Sequence, residues 1–283
     1  MKFHQHPTVY TKQVHLNVKD LNHSLAFYTN IIGLKVLSQT TTSVVFTVNG
    51  ETPILTIEQP EIIEKQQLNA AGLYHMAFLV PTRKDLGVIS TYLRGIGVQF
   101  GSSDHAVSEA LYLNDVDGNG IEIYYDRSPL TWNWQNGEVE MTVDPLDFTQ
   151  LVKDTESMVW NGLPSGTEMG HVHLRVANLE EAAKFYVEGL GFDVVCRYGG
   201  QALFISSNGY HHHIALNVWG QPQPANRANN TLGLTRYSLI YPSEEARQKV
   251  VHQLQAIGSE VTEKSGYLST TDPSGIELQL YIS

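Results

Sequence analysis

The chemistry-bearing residues crowd into one stretch, His105-Ala-Val-Ser-Glu-Ala-Leu-Tyr112-Leu-Asn-Asp-Val-Asp-Gly118-Asn-Gly-Ile-Glu122. Its histidine and tyrosine can each donate or accept a proton, and its carboxylates can bind a cation. The stretch reads as strand, tight turn, strand: Ala110 to Leu113 is apolar, 114–120 is dense in Asn, Asp and Gly, and Ile121 to Tyr125 alternates. Side chains alternate across a strand, so Ile121 and Ile123 take one face and Glu122 and Tyr124 the other. A carboxylate in mid-strand is either solvated on an open face or held in a cavity by a cation or a hydrogen-bond donor.

Twelve histidines are present. His75, His171 and His173 fall in strand-like segments, and His211-His212-His213 reads as the start of a strand from 212 to 219, where alternation sends His212 toward the helix side. Each has an ordinary reading too. A lone mid-strand histidine such as His75 is more often a hydrogen-bonded core residue than a ligand. Glu122 could pair with an arginine, and His105 and Tyr112 could be plain turn and sheet residues. His4, His6, His23 and His252 read as surface residues.

The elements that must position these groups come from an internal repeat. Gln13-Val-His-Leu-Asn-Val-Lys-Asp-Leu21, then Phe27-Tyr28 and Gly33-Leu34, recurs as His171-Val-His-Leu-Arg-Val-Ala-Asn-Leu179, Phe185-Tyr186 and Gly191-Phe192. His15 and His173 thus hold one position, which fits a shared structural role at least as well as chemistry. Each copy predicts a strand, an amphipathic helix (Leu21 to Ile32, Leu179 to Leu190) stopped by glycine, and further strands. A second kind of unit follows each copy, beginning at Gly72 and at Gly233. The organisation expected is therefore α+β: four strand-helix-strand-strand-strand units in two tandem modules, 9–126 and 169–283, with helices outside curled mixed sheets. The connecting segment, 127–168, is too long for a simple linker; it carries Trp132 and Trp134, predicts a helix around Leu146 to Val152, and should pack on the body. Val172, Leu174 and Val176 form an apolar face for a helix to cover, whereas His171, His173 and Arg175 line a polar concave face suited to a ligand.

The formal charge of −11 and the lack of any Lys/Arg cluster argue against a nucleic-acid partner. The single cysteine, Cys196, allows no internal disulfide. No stretch approaches the roughly 20 apolar residues that span a bilayer, so no membrane partner is expected and a cytoplasmic location is. Whether chains associate into a homo-oligomer is left open.

His105, five residues, Leu111-Tyr112, two residues, Asp115-x-x-Gly118, three residues, Glu122 resembles the signature of extradiol ring-cleavage dioxygenases of the vicinal oxygen chelate superfamily, which also holds glyoxalase I and fosfomycin-resistance proteins. Val116 stands where that signature has Pro, and Ser103 where a Gly or similar residue is usual; both lie in turns. The βαβββ plan matches nearly the whole chain. The resemblance implies that Glu122 is a metal ligand and that His105 and Tyr112 act on the substrate beside the metal.

Ligand positions implied by the superfamily fall on Gln13 and Leu55 or Ile57 in the first unit, His75 and Glu122 in the second, His171 and His213 in the third, and Arg236 and Gln279 in the fourth. The expected site therefore crosses the modules, with metal ligands His75, Glu122 and His171 and with His213 as a fourth ligand or a base. Such cross-pairing resembles glyoxalase-like members; extradiol enzymes complete the site within one module, which here would mean His171, His213 and Glu277. Two imidazoles and a carboxylate leave positions open on Fe(II) for substrate and O₂; Mn(II), Ni(II) and Zn(II) are the alternatives. A closed structural zinc site is disfavoured because no thiolate cluster exists.

The function implied is extradiol cleavage of a small aromatic diol by O₂, with His105 or His213 shuttling a proton, Tyr112 hydrogen-bonding the metal-bound oxygen, and Trp219, Tyr124 and Phe78 offered as ring-pocket residues. By parity Phe78 has a second reading against the helix. A glyoxalase-like isomerase or lyase and a non-catalytic small-molecule binding module are the rival readings.

Overall fold

The structure, a computed structural model, describes residues 2–64, 69–153, 155, 157–223 and 230–283. The first unit is β1 (Tyr10–Asn17), α1 (Leu21–Asn30), β2 (Lys35–Gln39), β3 (Ser43–Thr47) and β4 (Pro53–Glu58). The second is β5 (Gly72–Leu79), α2 (Arg83–Gly95), β6 (Gly101–Asp104), β7 (Ser108–Asn114) and β8 (Gly120–Asp126). A short hairpin, β9 (Trp134–Gln135) and β10 (Glu138–Val139), and one helical turn, α3 (Phe148–Leu151), follow. The third unit is β11 (Glu168–Arg175), α4 (Leu179–Ala183) running on as a π-helical turn over Lys184–Gly189, β12 (Asp193–Tyr198), β13 (Ala202–Ser206) and β14 (Ile214–Asn217). The fourth is β15 (Gly233–Tyr241), α5 (Glu244–Ala256), β16 (Val261–Lys264), β17 (Tyr267–Thr271) and β18 (Glu277–Ile282).

Local chemistry explains the helices. At α2, Thr82 accepts from the Asp85 N–H while the Asp85 carboxylate accepts from Thr82 in return, a capping box. Leu86, Ile89 and Leu93 then fall on one buried stripe. Asp20, Asn178 and Ser243 cap α1, α4 and α5 more simply, each side chain accepting from first-turn N–H groups.

The strands assemble into two eight-stranded sheets, ordered β12-β13-β14-β11-β5-β8-β7-β6 and β16-β17-β18-β15-β1-β4-β3-β2. The α+β class, the four βαβββ units and the tandem repeat are all present. Strand pairing, however, crosses the boundary between 9–126 and 169–283, because β5 runs antiparallel to β11 and β15 antiparallel to β1. Each repeat thus supplies one unit to each sheet. A unit alone leaves the open edge of its first strand unpaired, and the partner's first strand satisfies it. Val14, Leu16, Met76, Phe78, Val172, Leu174 and Leu239 from both sheets share one continuous core with α1, α2, α4 and α5.

The repeated Phe-Tyr pair ties the units together. Tyr28 of α1 donates to Asp115 Oδ2 at 2.7 Å, and Tyr186 of the α4 continuation donates to Asp272 Oδ2 at 2.8 Å. Asp115 Oδ1 accepts the Asp117 and Asn119 N–H groups, so this carboxylate builds the turn before Glu122. The segment from 127 to 168 does pack on the body: Trp132 is buried, the helix is shorter than Leu146 to Val152, and an isolated bridge joins Asp104 to Asp144. Among the described residues no helix is long and apolar enough to cross a membrane.

Candidate metal centre

His75 on β5 and Glu122 on β8 are brought together by parallel pairing in which Met76 faces Ile121 and Ala77 faces Glu122. Antiparallel pairing of β5 with β11 sets His173 opposite His75 and His171 opposite Ala77. Three side chains from three adjacent strands therefore meet. Glu122 Oε2 lies 2.9 Å from His75 Nε2 and 3.1 Å from His171 Nε2, and the two imidazole nitrogens are 3.3 Å apart. All three residues are buried, and theirs is the one such cluster of potential metal ligands among the described residues.

The donor set fits a divalent ion. Two neutral imidazole nitrogens and one carboxylate oxygen converge on one point and leave further positions to other ligands. Burial pushes His171 down to about 4, against the pull of the Glu122 charge, so its ring is neutral and able to ligate at ordinary pH. Burial works to raise the Glu122 carboxyl, but the two histidines outweigh it and hold it well below the ordinary carboxylate range. His171 Nδ1 is buried without a hydrogen-bond partner; packing aims its ring, with Tyr124 at 4.9 Å and His212 at 4.1 Å.

Two glycines make room for this centre. A Cβ on Gly120 would stand 2.0 Å from the Tyr74 carbonyl and 3.1 Å from His75 Cβ, and one on Gly170 would stand 1.9 Å from the Tyr124 hydroxyl. Both positions need the missing side chain for close approach.

A cavity of about 520 Å³ opens over the cluster; Glu122 and His75 stand in its wall with His105, Tyr112, His173 and Trp219. His105 Nδ1 donates to the Thr142 carbonyl at 2.6 Å. A carbonyl only accepts, so the neutral ring has a bare Nε2, and the Tyr112 hydroxyl donates to it at 2.6 Å. Burial, then the charge of Glu122, pushes the Tyr112 phenol well up, and it stays protonated. The Arg127 guanidinium braces this turn, binding Asp104 and the Ala106 carbonyl on either side of His105.

Several expected placements are corrected. His213 does not join the cluster: its Nδ1 accepts from the Ser207 N–H at 3.2 Å and its Nε2 donates to the Phe3 carbonyl at 3.1 Å, so neither nitrogen is left to ligate or shuttle a proton. Glu277 lies in the other sheet, where it accepts from Ser269 Oγ at 3.0 Å, so the set His171, His213 and Glu277 is not assembled. His212 faces the cavity, not the helix side, because β14 begins only at Ile214 and Asn208 and Gly209 take positive φ. Strand alternation therefore does not govern this run. Tyr124 shares the face of Glu122 but is fully buried, hydrogen-bonded to the Tyr210 hydroxyl at 2.7 Å, and outside the cavity wall. Phe78 lies in the core, while Trp219 does line the cavity. His4 is buried and donates to the Gly170 carbonyl at 2.7 Å; His6, His23 and His252 are exposed.

His212 is the functional candidate that alternation hid. Asp126 Oδ1 accepts from His211 Nε2 at 2.7 Å, and His211 Nδ1 lies 2.8 Å from His212 Nδ1. A carboxylate only accepts, so neutral His211 has a bare Nδ1, His212 donates its Nδ1–H there, and His212 Nε2 keeps its lone pair. Burial, then neighbouring His171, hold His212 well below its usual range and therefore neutral.

A family model described as the Glyoxalase/Bleomycin resistance protein/Dioxygenase superfamily matches residues 10–123 and 168–280. A protein of Bacillus subtilis (strain 168) described as a catechol-2,3-dioxygenase is 39% identical over 261 residues, covering 91% of this chain and 92% of that one. Among solved structures, a Bacillus subtilis subsp. subtilis str. 168 protein described as a candidate dioxygenase superposes with a TM-score of 0.66 at 14% identity, covering 96% of this chain and 86% of the other. Glyoxalase I from Zea mays superposes with a TM-score of 0.56 at 14% identity, covering 96% and 92%. At these identities the two structures bear on the fold alone.

Proposed function

The chain belongs to the Glyoxalase/Bleomycin resistance protein/Dioxygenase superfamily, and we propose that it is a metal-dependent extradiol dioxygenase opening a catechol-type ring with O₂. The observation carrying this reading is the meeting of His75, Glu122 and His171 beneath a cavity that also holds the hydrogen-bonded pair His105 and Tyr112. The name of the 39% identical relative supports the same direction. Fe(II) suits the donor set, with Mn(II) next. When bound, the metal would hold the diol oxygens and O₂ together and pass electrons between them.

The chain's own groups handle protons and position. His212 Nε2 is the base for a diol hydroxyl, because its other nitrogen is committed to His211. In the resting state Tyr112 spends its proton on His105 and offers the cavity a lone pair. A proton taken up at His105 Nε2 reverses that hydrogen bond and frees the Tyr112 O–H to donate to a substrate oxygen. His173, held by a 2.8 Å hydrogen bond from Asn217, and Trp219 give the ring a flat wall.

The test is to load the protein with Fe(II) without air, then admit catechol and O₂. A yellow ring-opened product with equimolar O₂ uptake is expected. The crossing of the centre between repeats resembles glyoxalase-like members and keeps a second reading alive, an isomerase or lyase using Ni(II) or Zn(II) as a Lewis acid. Metal-dependent turnover without O₂ uptake would put that reading in place of the first. Failure to bind any metal would leave a small-molecule binding module.

A further inference from the structure

The cavity extends well past the histidine cluster. His171, His173 and Arg175 share one face of β11, so Arg175 starts about 13 Å along the strand from His171 at ~3.3 Å per residue. A volume near 520 Å³ lies in the range that takes drug-sized ligands and exceeds what a bare benzenediol needs. Its far end is built from aromatic rings and one cation. The Arg175 guanidinium lies over the Tyr74 ring at 5.2 Å, and Trp219 meets Tyr74 edge-on at 5.5 Å.

Among the described residues Arg175 is the only Lys or Arg in the cavity wall. Among the described residues no carboxylate comes within ion-pair distance of it and no acceptor takes its N–H groups. The one carboxylate among the described residues of the wall, Glu122, is held by His75 and His171. The attraction between the guanidinium and the Tyr74 ring takes no N–H acceptor, so the N–H groups remain available to a ligand. Those edges form a planar fork matched to a carboxylate. A packing role, the aliphatic stem covering Tyr74, needs no guanidinium and could be met by any long side chain.

We propose that Arg175 determines specificity by reading an anionic substituent, a carboxylate, on the catechol-type ring at the end away from the metal centre. The inference rests on the ring-cleavage reading and adds the substrate class: diols with an acidic arm. In a chain carrying a net charge of −11, one local cation aimed into the cavity is what admits an anion at all.

The experiment is a binding comparison on Fe(II)-loaded protein without O₂, using a carboxylate-bearing catechol and its uncharged methyl ester, read by quenching of tryptophan fluorescence. The acid should bind at least about tenfold more tightly than the ester, as expected of a hydrogen bond to a charged group. Arg175→Gln should erase that preference by weakening the acid about 10- to 100-fold while leaving the ester within about threefold; Arg175→Lys should restore part of it. Equal binding of acid and ester by the unaltered protein would sink the inference, with no variant needed, and leave the ring-cleavage reading standing. A preference that survives Arg175→Gln would also sink it. Binding of neither compound would overturn the ring-cleavage reading and this inference together.

Discussion

The two sheets share one plan and differ at the positions that matter. In the first, His75, Glu122 and His171 meet; at the corresponding register of the second stand Arg236, Gln279 and Gln13. The correspondence is geometric: His173 pairs with His75 as His15 pairs with Arg236, and Ala77 pairs with Glu122 as Ser238 pairs with Gln279. In the second sheet these groups are satisfied by neighbouring side chains instead. Gln13 Nε2 donates to Thr56 Oγ1 at 2.8 Å and Arg236 donates to Glu58 at 3.1 Å. A guanidinium where the first sheet has an imidazole repels a divalent cation, and an amide in place of Glu122 removes the anionic donor. Backbone duplication thus carries the scaffold twice, while three side chains decide which copy could hold an ion.

The sharpest way to break this contrast is to make the first sheet resemble the second. Glu122→Gln should lower metal affinity by more than about 100-fold, beyond the loss typical of a group outside the ligand set, and abolish turnover. Glu277→Gln, the carboxylate change in the other sheet, should leave bound metal unchanged in the same elemental analysis. Metal retained by Glu122→Gln would remove the distinction. Next in size, His212→Gln or Tyr112→Phe should cut kcat by about 10²–10⁴-fold with metal content intact; a change confined to KM would assign these residues to substrate binding only.

Gly120→Ala should cost about 1–3 kcal/mol of stability, measured by denaturant melting, and reduce bound metal as well, because its Cβ meets the Tyr74 carbonyl and His75. Metal uptake at the native level would show that the close approach does not position His75.

A pH series on metal-free protein compares the sheets again. His171 is pushed to about 4 and His15 to about 3, both from 6.5 and chiefly by burial, with Arg236 adding to the effect at His15. A histidine lowered on folding stabilises the neutral-pH protein, and that contribution is complete above 6.5. It falls away as pH drops toward the folded value, about 3 kcal/mol for His171. Bound metal should deepen the loss, since protons then compete with the ion; a flat stability curve from pH 7 to 4.5 would contradict the assignment. The smallest effect is expected of Glu58→Gln. It removes a half-exposed ion pair worth about 0.2–1 kcal/mol, with no change in metal or turnover.

Much of this was legible in the sequence. The repeat exposed the unit order, and spacing around the Asp115 turn put Glu122 at mid-strand, where β8 indeed carries it. His75 and His171 could be paired with it only through family positions, since nothing local says that β5 lies beside β11. The rest depended on contacts no periodicity encodes. Tyr124 has the parity of Glu122 yet is sealed beneath His171 because Gly170 admits its hydroxyl. His212 and His213 exchanged places because the chain enters β14 through left-handed turns at Asn208 and Gly209. His4 was hidden by its position near the chain start; its burial comes from a tertiary hydrogen bond to Gly170, next to His171. Met141 and Val143, from the segment joining the repeats, line the cavity without any sequence signal.

Pairing of β5 with β11 joins residues about a hundred positions apart. Neither half of the polypeptide then carries all three donors, and during synthesis the proposed site is incomplete until the strand bearing His171 has emerged and docked. Metal capture there would be a late event that reports completed assembly. Two fragments severed between the repeats should take up the ion only after they recombine.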